Sequence, residues 1–332
     1  MREPAFWWRA RGWQAALLSP LGAIYGAVAG ARMARPGAVV PVPVLCIGNL
    51  TLGGTGKTPA VIAVAKILAA AGHAPVILSR GYGGALAGPL AVDPPMHRAA
   101  DVGDEPVLLA RTARTVVAAD RVAGARLALT LGAKSIVMDD GFQNPGLAKT
   151  ASILVADGRR GIGNGCVFPA GPLRAPLAVQ WPRAQAMLVI GKGDAGDALA
   201  AEAQTRGLRV FRGWLEPDAS ALSVLQRRPA LAYAGIGDPE KFFSTLRDAG
   251  IDVRAQAPFP DHHRFSPQEA HDLLARAGRD DLALVSTEKD LARMAGDEGL
   301  SALRNATRAL PVSLSVADDV AFRDFVLAAV AA

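Results

Sequence analysis

Apolar and polar positions along the 332-residue chain follow two periods, about two and about 3.6 residues. From residue 40 to about 215, short apolar runs predict strands at Val42–Ile47, Pro75–Ser79, Thr115–Ala118, Ser135–Met138, Ile153–Ala156 and Met187–Ile190. Between them, helical patterns cover Thr58–Ala71, Glu105–Ala113 and Asp120–Leu131, with Gly72 and Gly132 as stop signals. Apolar strands alternating with helices predict a parallel sheet covered on both faces. Residues 158–183 carry many Gly, Pro and Arg residues and little periodicity, which marks a long functional loop. A second αβ pattern follows: strand Ala230–Ala234, helices Pro239–Ala249 and Pro267–Ala277, strands Leu282–Ser286 and Leu310–Leu314, and helix Asp318–Ala331. The boundary between the two patterns falls near residues 212–228.

The first predicted strand runs into Gly48-Asn49-Leu50-Thr51-Leu52-Gly53-Gly54-Thr55-Gly56-Lys57-Thr58-Pro59, and a helix follows. Strand, glycine-rich loop, Gly-Lys-Thr and helix together make a phosphate-binding loop. Backbone N–H groups of residues 51–58 turn toward one anion there, and the helix N-terminus adds its dipole. Lys57 would reach the outer phosphates and the Thr58 hydroxyl a magnesium ion. Thr51 departs from the usual pattern, which asks for glycine five residues before Gly56. The expected fold is α/β: a P-loop NTPase-like parallel-sheet domain over residues 36–215, a second, smaller α/β domain over 216–332 closing over the cleft, and an N-terminal amphipathic helix over 1–35.

That N-terminal stretch has twenty residues without formal charge between Arg11 and Arg32, preceded by Phe6-Trp7-Trp8-Arg9. A cleaved signal peptide would export a nucleotide-binding domain to a place without ATP. A spanning helix has about the minimum length, but Ser19-Pro20, Gly22, Gly26 and many alanines make it weakly hydrophobic. With the loop in the cytoplasm it would also carry Arg2, Arg9 and Arg11 across, against the positive-inside tendency. The reading adopted is an interfacial helix, with tryptophans at headgroup depth and arginines on an anionic membrane surface. Packing of the helix on its own domain is the alternative.

Composition narrows the picture. Half the residues are apolar, 51%, enough for two cores. The net charge of +6 suits an acidic partner such as nucleotide or phospholipid. The arginines are scattered and no aromatic-interleaved basic stretch occurs, so no nucleic acid is expected. Cys46 and Cys166, the only cysteines, lack metal-ligand spacing and suggest packing in a reducing compartment.

Further acids and bases surround the loop in sequence terms. Ser135-Ile136-Val137-Met138-Asp139-Asp140-Gly141 is an apolar strand ending in two acids, where a carboxylate can hold a metal beside the phosphate loop. Asp104 and Glu105 precede a predicted helix, where capping is as good an account as catalysis. His262 and His263 fall in a loop of the second pattern, where a histidine facing a cleft could serve acid–base chemistry. Three loops carrying Arg80, Arg121 and Arg174 follow strand C-terminal ends, where ligands sit in open α/β sheets.

Assembled, these residues resemble the tetraacyldisaccharide 4′-kinase family, the lipid A 4′-kinases. The motifs that carry the resemblance are the loop from Gly48 to Pro59, Ser79-Arg80-Gly81-Tyr82-Gly83, Gly103-Asp104-Glu105-Pro106 and Asp139-Asp140-Gly141-Phe142-Gln143. Further on are Gly163-Asn164-Gly165, Pro169 to Arg174, Ala234 to Pro239, Asp261-His262 and Thr287-Glu288-Lys289-Asp290. Thr51 is ordinary in this family. The resemblance implies two α/β domains flanking a cleft, ATP with Mg2+ as donor, and as acceptor the 4′-hydroxyl of a lipid disaccharide bearing a 1-phosphate. It implies Asp104 and His262 as a catalytic pair, and Glu105, Asp139 and Asp140 as metal-site carboxylates. Arg80, Tyr82, Arg121, Gln143 and Arg174 fall at active-site loop positions. It also implies a place on the cytoplasmic face of the bacterial inner membrane, peripheral or monotopic through the first helix. Asn144 and Ala175 depart from the histidine and the acid often found there.

The competing expectation is a membrane-associated nucleotide switch without a lipid acceptor. Leu52 stands where deviant switch ATPases carry lysine, and Gly191-Lys192-Gly193-Asp194 does not match the guanine-specific Asn-Lys-x-Asp.

Overall fold

The computed structural model describes residues 3–331; Arg2, one of the cations counted above, lies outside them with Met1 and Ala332. In chain order the strands are β1 Val44–Gly48, β2 Pro75–Ser79, β3 Leu90–Ala91, β4 Thr115–Val117, β5 Ser135–Asp139, β6 Ala151–Asp157, β7 Ala186–Ile190 and β8 Arg209–Pro217. After them come β9 Ala230–Ala234, β10 Val253–Pro258, β11 Ala283–Ser286, β12 Thr307–Ala309 and β13 Val312–Val316. The large sheet has the order β13-β8-β7-β6-β1-β5-β2-β4-β3, and the small one β10-β9-β11-β12. The large sheet is parallel except at its edges, where β3 and β13 run antiparallel to β4 and β8.

Strand pleating explains the two faces. Leu45 and Ile47 pack with Val61, Val64 and Leu68 of helix Lys57–Ala70. Val44 and Cys46 face the other layer, with Met33, Leu173 and Trp181. β1 is flanked by β5 and β6, so the loop that follows it opens at the middle of the sheet's C-terminal edge.

Several elements differ from expectation. β8 and β10 are absent from the predicted set, because both leave alternate residues exposed and their sequences are half-polar. Helix Asp194–Thr205 also went unpredicted. The expected unit 216–332 needs correction at its end: β13 joins the large sheet, and helix Asp319–Ala331 buries Phe322 and Val326 in the same core as Val61. The Phe211 and Phe322 rings meet at 5.1 Å. An apolar strand followed by an apolar helix reads the same whichever sheet receives it.

The N-terminal helix spans Trp13–Met33 and lies along the large domain by a stripe of Gly22, Gly26 and Gly30. A Cβ on Gly22 would stand 2.9 Å from the Val167 carbonyl oxygen, so glycine is what lets the backbones approach. The opposite face leaves Trp13, Leu17, Leu21, Ile24 and Val28 exposed. The glycines that weaken its hydropathy therefore face protein. By length and composition it could cross a bilayer, at a mean hydropathy of 1.2. The expectation that the first tryptophans sit at headgroup depth is corrected. Trp7 is buried and donates to the Pro169 carbonyl at 3.0 Å, and Trp8 stacks under Arg160.

Candidate functional site

The site begins where β1 ends. Gly56 closes the loop with φ of +90°, a left-handed conformation that favours glycine. Thr51 forms a bridge with Leu173, an extended pairing that asks for no glycine. Segment 169–174 backs the loop: Leu52 N donates to the Pro172 carbonyl at 2.8 Å, and Arg174 Nε to the Thr51 carbonyl at 2.8 Å. The backbone N–H groups of Gly53, Gly54, Thr55 and Gly56 make no hydrogen bond among the described residues, and the buried Thr55 hydroxyl has no partner. A row of free donors with an orphaned hydroxyl fits an oxyanion.

Lys57 is buried with Nζ 3.6 Å from Asp140 Oδ1. Burial depresses its ammonium pKa, partly offset by Asp140. Arg174 grips Asp140 with both Nη atoms, at 2.9 and 3.1 Å. Asp140 has φ of +49°, a conformation costly for a side-chain-bearing residue and typical of functional sites. Burial pushes its carboxyl up, but Lys57 and Arg174 prevail and hold it below the usual range. Asp139 differs. It accepts from Ser79 Oγ at 3.0 Å and forms no ion pair among the described residues. Burial, then Glu105 and Asp140, pushes its carboxyl up to about 7. Thr58 Oγ1 donates to Glu105 Oε1 at 3.2 Å.

The second domain supplies the rest. Lys289 Nζ reaches Glu105 at 2.5 Å, and its charge keeps that carboxyl low despite burial. Arg293 donates to Asp104 Oδ2 from Nη2 at 2.6 Å and from Nε at 2.9 Å. Its Nη1 donates to the Gly235 carbonyl and to the fully buried Asp290, both at 2.7 Å. His262 Nδ1 lies 3.5 Å from Asp104 Oδ1. The His262 backbone has φ of +55° and donates to the Gly235 carbonyl at 3.1 Å. Burial pushes Asp104 up, but His262, Arg293 and Lys289 together hold it well below the carboxylate range. The contact with Asp104 raises His262 in turn, against burial. A cavity of about 230 Å³ opens here between Tyr82, Asp104, His262, Arg264 and Arg293.

The sequence-predicted residues divide into groups. Residues 51–58, Asp104, Glu105, Asp139, Asp140, Arg174 and His262 converge on one cleft. Tyr82 stands exposed over His262, with ring centroids 5.1 Å apart. Arg80 is exposed, whereas Arg121 is buried with Nη1 donating to the Ala118 carbonyl and Nε unpartnered. Gln143 braces the loop from behind, donating to the Asn49 carbonyl at 2.7 Å and to Gln180 at 2.9 Å. His263 leaves the cleft for Glu269, at 3.0 Å. Ala175 is fully buried, and Asn144 Oδ1 accepts from Gly146 N within its own turn.

Four contributors had no predicted role. Lys289 and Asp290 belong to a quoted motif, and Arg293 follows one turn later, the only signal that could have found it. Glu3 is the fourth: its carboxylate accepts from Trp8 Nε1 and Arg160, both at 2.9 Å, and lies against Gly53.

The tetraacyldisaccharide-1-P 4′-kinase family model matches residues 14–331. The chain belongs to this family. A tetraacyldisaccharide 4′-kinase of Rhodopseudomonas palustris (strain BisA53) is 54% identical over 328 residues, covering 99% of this chain and 96% of that one. One from Nitrobacter winogradskyi is 50% identical over 331 residues, covering 100% and 98%. Among solved structures, an "apo" form of LpxK from Aquifex aeolicus in complex with ATP aligns with a TM-score of 0.72 at 26% identity, covering 95% of this chain and 99% of that one. The family resemblance read from the motifs is thus met over nearly the whole length. Within a tetraacyldisaccharide-1-P 4′-kinase, the two sheets carry complementary parts: the large one the phosphate loop, the small one His262, Lys289 and Arg293.

Proposed function

We propose that the protein transfers the γ-phosphoryl group of ATP to the 4′-hydroxyl of a tetraacyldisaccharide 1-phosphate, giving the 1,4′-bisphosphate of a lipid A precursor. The observation that carries this reading is the pairing of Asp104 with His262 across two domains, beside a loop of unsatisfied donors.

Lys57 and the N–H groups of residues 53–56 bind the donor's outer phosphates. Asp104, kept ionised, accepts the 4′-hydroxyl proton as that oxygen bonds to the γ-phosphorus and the bond to the β–γ bridging oxygen breaks. His262 orients Asp104 and can take up the proton. Thr58, Glu105, Asp139 and Asp140 are the residues that would hold magnesium, Asp139 being the acid without a basic partner. No group of three or more His, Cys, Asp or Glu among the described residues forms a metal cluster by itself. That fits an ion held largely by donor phosphates. Bound there, magnesium would neutralise phosphate charge.

Residues 1–35 form the membrane-binding part, 36–215 with the returning segment 312–331 the kinase domain, and the intervening sheet the part that closes over the cleft. The apolar face of Trp13–Met33 lies in lipid at the cytoplasmic face of the inner membrane, with Arg9, Arg11 and Arg32 on anionic headgroups. Removing residues 1–35 should abolish flotation with vesicles. Incubation with radiolabelled ATP, with and without the lipid disaccharide, tests the reaction. Label entering lipid supports it, while acceptor-independent hydrolysis alone favours the nucleotide switch.

A further inference from the structure

A second cavity, of about 240 Å³, opens at the C-terminal end of the first helix. Met33 and Arg35 of the helix end line it, with Lys149, Ser152 at the start of β6, and Arg183. It therefore reaches the N-terminal end of β6, whereas the phosphate loop and Asp139 lie at strand C-terminal ends. Three cations and no carboxylate line it.

None of the three cations has an ion-pair partner among the described residues. Lys149 donates to the Asn144 carbonyl at 2.6 Å, and Arg183 to the Met33 and Val179 carbonyls at 3.1 and 2.6 Å. Those are neutral acceptors, and Arg183 Nη2 and the Arg35 guanidinium make no hydrogen bond among the described residues. Burial, followed by the fields of Arg183 and Arg121, depresses the Lys149 ammonium. Positive charge gathered in a half-buried space without a counter-charge is unfavourable.

Ser152 adds an independent observation. It is 1% exposed, and its hydroxyl has no hydrogen-bond partner. By strand alternation its side chain points to the face that carries Leu154, Leu147 and Met33. A buried orphan hydroxyl beside uncompensated cations calls for a small oxyanion, which would satisfy both.

We infer that this cavity is a subsite for a phosphate group, held by Lys149, Arg183, Arg35 and the Ser152 hydroxyl. Free phosphate and the headgroup of an anionic phospholipid both carry such a group, and the cavity adjoins the end of a helix whose outer face is apolar. The inference stands apart from the reaction proposed above.

The test uses the full chain with its phosphate loop saturated by a non-hydrolysable ATP analogue, so that only other sites report. Inorganic phosphate is titrated calorimetrically into the native protein and into Lys149→Gln, Ser152→Ala and Arg35→Gln. Arg35 is exposed, so its replacement leaves folding intact and keeps the test valid should Lys149→Gln unfold. The expected result is a phosphate affinity about tenfold weaker in the Lys149 and Arg35 variants. Flotation on phosphatidylcholine vesicles with and without phosphatidylglycerol then separates the sources. A preference for phosphatidylglycerol that falls with Arg35→Gln identifies the headgroup; a preference unchanged, with phosphate binding still weakened, identifies free phosphate. No phosphate binding by the native protein, or equal binding by the folded variants, overturns the inference.

Discussion

Arg293 holds Asp104 through one oxygen only: two of its nitrogens converge on Oδ2, at 2.6 and 2.9 Å, and leave Oδ1 facing His262. The arginine is itself locked by Asp290 and Gly235, so the small domain carries a rigid socket for an acid of the large domain. In the proposed mechanism, closure of the cleft and orientation of the base would be one event.

Arg293→Met should therefore lower turnover about a hundredfold, while ATP affinity stays within about twofold. Arg293→Lys should restore only part of it, since an ammonium cannot fork across three acceptors. Steady-state kinetics with nucleotide titration decide this; near-native kcat in the methionine variant would refute the socket.

Asp104→Ala and His262→Ala should each depress kcat strongly with ATP binding intact, whereas Lys57→Ala should lose ATP affinity as well. If Lys57→Ala kept full ATP-dependent modification of the glycolipid, the loop would not be the donor site.

The raised pKa of His262 has a definite sign. Its favourable contact with Asp104 is fully present below the unfolded histidine value, about 6.5, and is lost as pH rises through the higher folded value. The native protein should thus exceed His262→Gln in Tm most at pH 5–6, and the gap should narrow above neutrality. Thermal melts across pH 5–9 check this, and a gap that widens with pH contradicts it.

The two faces of the first helix should respond oppositely. Gly22→Val forces a side chain onto the Val167 carbonyl and should cost about 1–3 kcal/mol in stability. Ile24→Glu, on the exposed face, should leave Tm unchanged and weaken vesicle flotation. A fall in Tm for Ile24→Glu alone would mean the exposed face is packed.

Much of this was legible in residue order. The phosphate loop is a local structure, fixed by glycines, Lys57 and Thr58 within a few residues of one strand. The acids ending β5 and the central strands were equally plain, because buried parallel strands are continuously apolar. Strands β8 and β10 were not, since half-exposed strands mix polar with apolar residues. Gln143 shows the same limit at the site: its motif marks it, but only the fold turns its amide to Asn49 and Gln180.

Sequence alone determined the local pattern: which short segment has the form of a phosphate loop, which strand ends carry acids, and which family the motifs resemble. Tertiary structure alone decided that Arg293 and Lys289 meet Asp104 and Glu105, that β13 returns to the first sheet, and that helix glycines face protein while leucines face out. The physical reason is range. Backbone preference and apolar period act over a few residues, whereas ion pairs spanning 189 and 184 positions exist only after two cores have formed and docked.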